Sequence, residues 1–263
     1  MNRLQTELRR LYLLGSPADD VASAEAPCLI SPEAGVRAMV LELARPADWG
    51  VLSALWQGVQ ADLELPAPAI AVSGTDGYQL WFSLVEPVPV PEARRFLEFL
   101  RLRYLGHVAL GRIAMWPAVD ASAPGHYQHA NMVPAHLKDT GLWSAFIAPD
   151  LAPVFSDEPW LDICPSPDAQ ADILSRLVGI KAADFQKVLA RLGAAAKTTT
   201  SHRALATSEK GGGASDLAHA ATQQNPKQFL LDVMGDTSIE MHLRIQAAAA
   251  LLPYFENPPR AAS

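Results

Sequence analysis

Two cysteines, Cys28 and Cys164, are all that the 263 residues carry, and their distance along the chain matches neither a disulfide framework nor a metal knuckle. Free thiols in a reducing compartment are expected. No apolar run approaches the roughly 20 residues that cross a bilayer. Met1 to Leu14 interleaves Arg3, Glu7, Arg9 and Arg10 with its leucines instead of building the apolar core of a signal peptide, so a cytoplasmic protein with no membrane partner is expected. A basic excess is missing as well. The net charge is −7, whereas a dedicated nonspecific binder of nucleic acid carries a basic surface to neutralise phosphates. Any such contact must therefore be local. Residues 1–195 hold 15 basic and 22 acidic side chains and residues 196–263 hold 6 of each, which puts the whole acidic excess in the front of the chain.

What is present is enough apolar matter to fold: 49% of residues are hydrophobic and 19% charged, far from the composition of disorder. Leu4, Leu8, Leu11 and Tyr12 recur at helical spacing until Gly15-Ser16-Pro17 stops them. Arg37 to Leu43 is a β-compatible apolar run with one carboxylate, Glu42, and reads as a buried strand. Asp48 is placed to cap a helix lined by Trp49, Leu52, Leu55, Trp56 and Val59. Ala69 to Ser73 and Tyr78 to Val85 form a hairpin across Gly74-Thr75-Asp76-Gly77, with Asp-Gly expected to take the positive φ angles of a tight turn. Pro91 opens a third helix through Phe96, Leu97, Leu100 and Tyr104, ended by Gly106. His107 to Met115 and Leu142 to Ala148 read as strands separated by a long irregular loop, and short helices are expected near 168–178 and 182–192.

Residues 194–221 are rich in Ala, Thr, Ser and Gly and are expected to form a flexible linker. Beyond it, Asn225-Pro226 and the Thr237/Glu240 spacing open two amphipathic helices. The expected organisation is an α/β (α+β) domain over 1–193, a mixed sheet flanked by helices, then the linker and a C-terminal helical hairpin over 222–263.

The order of helix, strand with Glu42, helix, and hairpin reading Ser73-Gly74-Thr75-Asp76-Gly77-Tyr78-Gln79-Leu80-Trp81-Phe82 resembles the archaeo-eukaryotic primase superfamily, the primase-polymerases common on plasmids, phages and other mobile elements. The resemblance covers roughly residues 37–155, and Pro134-Ala135-His136 followed by Thr140-Gly141 and an aromatic strand continues it in the right order. In that family a strand carries two alternating carboxylates for divalent metal, and the hairpin reads Ser-Gly-x-x-Gly-x-His; paired acids suit magnesium, and glycines let the backbone approach phosphates. The resemblance puts Glu42 at the first carboxylate, Ala44 where the second would be and Gln79 in place of the histidine. It implies nucleotide contact through Ser73, Gly74, Asp76, Gly77 and Gln79, to which we add Arg112. The family's further acid, beyond the hairpin, finds no match before Asp120. The segments 225–234 and 244–255 resemble helices of phage terminase small subunits, which implies a replication or packaging partner bound through residues 225–255.

Each of these residues also has a plainer reading. Gly-x-x-Gly suits any good hairpin turn, Glu42 suits a strand carboxylate satisfied by a neighbour such as Arg112, and His126, His129 and His136 read as surface histidines instead of a zinc site. Arg94, Arg95, Arg101 and Arg103 alternate with Glu92 and Glu98 as on a solvated helix face, and strand aromatics such as Trp81 and Phe82 are core residues more often than stacking surfaces. Three functions stay open. The first is a non-catalytic primase-polymerase-like protein that binds single-stranded DNA or a nucleotide and supports replication or transfer of a mobile element, with no cofactor. The second is an assembly or adaptor protein working through its C-terminal helices. The third is an active nucleotidyltransferase, which would need Mg2+ and an acid to join Glu42.

Overall fold

The computed structural model describes residues 2–14, 28–31, 33, 35–120, 123 and 126–194. The chain divides into two units, Met1–Ser208 and Glu209–Ser263, and all the described residues belong to the first. Apart from Ala194, the expected linker over 194–221 and the helical hairpin over 222–263 lie outside the described residues.

Helix α1 (Arg3–Leu11) starts in a capping box: the Gln5 amide donates to Asn2 Oδ1 at 2.8 Å and the Asn2 amide donates to Gln5 Oε1 at 3.1 Å, so two orphan amides of the first turn are satisfied reciprocally. Strand β1 (Gly35–Ala44) follows. Asp48 caps helix α2 (Trp49–Ala61) as the sequence predicts, its Oδ1 accepting from the Val51 amide at 3.0 Å. The hairpin is β2 (Ala69–Val72) and β3 (Gly77–Pro89), and Pro91 lies in the first turn of helix α3 (Val90–Tyr104).

The next segment departs from expectation. His107 to Arg112 is not strand: the Val108 amide bonds back to the Leu105 carbonyl, the Arg112 amide to the Ala109 carbonyl, and Leu110–Arg112 is a 3-10 turn. Extended backbone begins only at β4 (Ile113–Trp116), where the ladder with β1 starts; Val108 and Leu110 alternate as in a strand, but Leu110 is 67% exposed. The long loop after it carries its own two-residue ribbon, β5 (Ala118–Val119) with β6 (Tyr127–Gln128). β7 (Ala135–His136), β8 (Trp143–Ile147), helix α4 (Pro167–Ser175) and helix α5 (182–194) complete the described chain.

Strands β4-β1-β3-β2-β8-β7 form one six-stranded sheet in that order. All its ladders are antiparallel, and Leu84 adds a single parallel bridge to Ile180. The α+β class predicted from the sequence is the class observed. Both faces of the sheet are covered, which is why β1 and β3 read as nearly unbroken apolar runs. Met39, Leu41 and Leu43 point with Tyr78, Leu80 and Phe82 into a core closed by Leu52 and Leu55 of α2, Phe96 and Leu100 of α3, and Phe185 and Val188 of α5. Ala38 and Val40 point the other way with Trp81, Ala69, Ala71 and Phe146, under Leu4 and Leu11 of α1 and Leu174 of α4. Arg37 ties α1 to the sheet, its guanidinium donating to the carbonyls of Leu84, Leu13 and Arg10 at 3.0, 3.1 and 2.7 Å. Among the described residues no helix is long and apolar enough to cross a membrane.

Tyr12, directly after α1, is fully buried, stacked on Phe146 at 6.1 Å and edge-on to Trp81 at 5.2 Å. Its hydroxyl has no hydrogen-bond partner among the described residues, and a buried hydroxyl without a partner is a cost to folding. Burial also pushes its pKa well above the ordinary tyrosine value, so the contribution is intact below the unfolded value of about 10 and lost as pH rises beyond it. Tyr12→Phe should therefore raise stability by on the order of 1 kcal/mol at neutral pH and lessen the loss of stability above about pH 10, both measurable as urea midpoints.

Candidate functional site

The register of the sheet lines up one transverse row of side chains. Glu42 on β1 stands opposite Gln79 on β3 and Ala114 on β4; Gln79 stands opposite Ala71 on β2, and Ala71 opposite Phe146 on β8. By the two-residue alternation of strands all five share the face that packs under α1 and α4. Ala44 is on the same face one step along from Glu42, where the resemblance would put the second acid.

A chain of hydrogen bonds runs through this row. Trp81 is fully buried and its indole can only donate; it donates to Gln79 Oε1 at 2.8 Å. The carbonyl end of the Gln79 amide is thereby committed, which turns Nε2 toward Glu42, where it donates to Oε2 at 2.7 Å. Gln79 is itself 7% exposed, so its orientation is dictated by a buried partner on one side and a carboxylate on the other. Burial raises the Glu42 pKa above its ordinary value; the Gln79 hydrogen bond opposes this, the Asp76 charge adds to it and the Arg45 charge subtracts. Glu42 pairs with the amide and not with Arg112.

Arg112 closes the 3-10 turn before β4, and its donors go to main chain: Nε to the Ala44 carbonyl at 3.3 Å and Nη2 to the Pro46 carbonyl at 2.8 Å. Arg45 likewise donates to the Gly111 carbonyl at 2.9 Å. The two arginines nearest the row brace the end of β1.

The turn 73–77 is also self-contained. Ser73 Oγ accepts from the amides of Thr75 at 3.2 Å and Gly77 at 3.0 Å, and the Gly74 amide donates to the Pro159 carbonyl at 3.0 Å. The positive φ expected at Asp76-Gly77 falls instead at Gly74, at 82°, because the side-chain bonds of Ser73 draw the chain round two residues earlier than a two-residue hairpin would. Both glycines answer to packing. A Cβ on Gly74 would come 2.2 Å from Leu137 Cδ1 and 2.9 Å from the Ser144 amide nitrogen; one on Gly77 would come 2.9 Å from the Ala44 Cβ and 3.1 Å from Glu42 Cγ. Asp76 is exposed, and its Oδ1 accepts from the Thr75 hydroxyl at 3.3 Å.

The structure thus brings Glu42, Gln79, Gly77 and Asp76 together at one end of β1 and β3, where Arg112 also bonds, while Ser73 bonds within the turn and Gly74 lies close to Leu137 and Ser144. Among the described residues no group of three or more His, Cys, Asp or Glu is placed to hold a metal ion. His129 Nδ1 contacts the Ala130 carbonyl and His136 lies against the Trp143 ring. Arg101 and Arg103 bond to Glu98 and Asp62. Two residues were not legible as part of this site: Trp81, whose indole sets the amide, and Trp116, which ends β4 on the same face two residues from Ala114. The hydrogen bond reveals the first and the register the second.

No family model and no curated protein matches this sequence.

Because the folded-state pKa of Glu42 is raised, the carboxyl holds its proton more tightly in the fold than in the unfolded chain. Its contribution is complete below the ordinary carboxyl value and lost as pH rises through the raised one. Glu42→Gln keeps an acceptor for Gln79 and removes the buried charge. It should match the wild type in stability near pH 4 and exceed it at pH 7 to 8, read from urea midpoints across that range.

Proposed function

We propose that this protein is a non-catalytic relative of the primase-polymerases that binds single-stranded nucleic acid or a nucleotide on the sheet face carrying Glu42, in the cytoplasm, in support of replication or transfer of a mobile element. The observation that carries the reading is the 2.7 Å bond from Gln79 to Glu42. A nucleotidyltransferase of this class needs paired carboxylates free to hold metal; here an amide donates to the one acid in the row, and Ala44 occupies the next position on that face. An ancestral pair of metal ligands reduced to one acid and a neutral donor fits a surface kept for binding.

A specific observation favours a second reading, an assembly protein working through residues 225–255. The amides of Gly74, Thr75 and Gly77 are already bonded within the protein and Arg112 gives two of its donors to carbonyls, so the backbone groups expected to hold phosphate are committed. An active nucleotidyltransferase is the third reading, and it still requires a further acid.

A salt series separates the first two. Single-stranded oligonucleotides should bind at low ionic strength and weaken as salt rises, with a shallow slope that reflects few phosphate contacts; no binding at low salt would favour the assembly reading. Primer synthesis or extension with Mg2+ or Mn2+ should be absent. Extension abolished by Glu42→Gln would replace this proposal with the enzyme.

A further inference from the structure

If nucleic acid binds the Glu42 face, what the face can recognise is narrower than a nucleotide in general. The nearby groups suited to phosphate are partly engaged: Ser73 Oγ takes the Thr75 and Gly77 amides, the Gly74 amide is given to Pro159, and Arg45 and Arg112 each give donors to carbonyls. Beside them stands an acceptor. Glu42 is partly exposed, and its Oε2 is the oxygen that Gln79 holds, which leaves Oε1 free of any hydrogen bond among the described residues. The Gln79 side of the carboxylate is closed, while on its other side stands Ala114, a partly exposed residue too short to cover it. An acid fixed by a neighbour and open on one side repels phosphate and accepts N–H.

One step along the same face of the edge strand β4, roughly 7 Å from Ala114 by strand geometry, is Trp116, packed against the core beneath α1 and partly exposed. An aromatic surface beside a hydrogen-bond acceptor is the pairing that holds an unstacked base: the ring takes the π-face without regard to sequence, and a carboxylate accepts from an exocyclic amino group, as from cytosine N4. We infer that Glu42 and Trp116 form a base-reading site for a single-stranded nucleobase bearing an exocyclic amino group, with Trp116 as the stacking platform, Glu42 Oε1 as the acceptor and Gln79 as a positioning residue that holds the carboxylate. The inference rests on the nucleic-acid reading above and replaces phosphate with base as the part recognised.

Full-length protein is titrated into fluorescein-labelled 12-mers of dC, dA, dT and an abasic backbone at low salt, and anisotropy is read. dC and dA should bind about tenfold more tightly than dT, and dT more tightly than the abasic strand, because Trp116 stacks on any base. Trp116→Leu should bring all four to the abasic level, and Glu42→Gln, which can both donate and accept, should erase the preference for dC over dT while leaving dT binding within about twofold. Equal binding of dC, dT and the abasic strand overturns the base-reading site and leaves nucleic-acid binding standing. A preference for dC that survives Glu42→Gln overturns the role of Glu42. No binding of any strand overturns the site and the nucleic-acid reading together.

Discussion

The antiparallel pairing of β1 with β3 is the constraint on which the rest of this domain depends. It runs from Ala44 opposite Gly77 to Gly35 opposite Pro89, and its register decides which side chains enter each of the two cores. A slip of one residue would turn Met39, Leu41 and Leu43 away from α2, α3 and α5 and drive Ala38, Val40 and Glu42 into them. Gly77 pins the end of that ladder, since its missing side chain lets β3 close on Ala44 and Glu42. The bond between Gln79 and Glu42 is a product of the same register and needs no further device to form.

Much of the fold was legible because its elements announce themselves locally. Asp48 before an apolar stripe, Pro91 in the first turn of a helix and the apolar runs around Glu42 and Tyr78 are signals carried by a few neighbouring residues, and helices and strands appear where those signals put them. The failures share a different cause. His107 to Arg112 looked extended, but its amides bond back over three residues, a preference that apolar composition does not express. The turn at 73–77 was identified, yet the seat of its positive φ depended on the hydroxyl of Ser73 reaching two amides at once, and side-chain bonds of that kind compete with the backbone propensities from which turn types are read.

The site was less legible than the fold for a similar reason. Glu42 and Gln79 could be named from the order of elements, but what they do to each other depends on Trp81, which sits two residues from Gln79 on the same face and can only donate. The role of an aromatic residue as the fixed end of a polar chain has no signature in composition or spacing. Arg112 shows the converse. Its charge suggested phosphate or Glu42, whereas its donors go to the Ala44 and Pro46 carbonyls at the end of β1.

The two glycines of the hairpin carry a lesson about inheritance. Gly74 and Gly77 are held in place by packing against Leu137, Ser144, Ala44 and Glu42. Close packing alone calls for glycine at both positions, whether or not anything is bound beside them. In a lineage built on this hairpin, persistence of the glycine pair records the closeness of two strands, and the fate of the chemistry is written at the positions beside it.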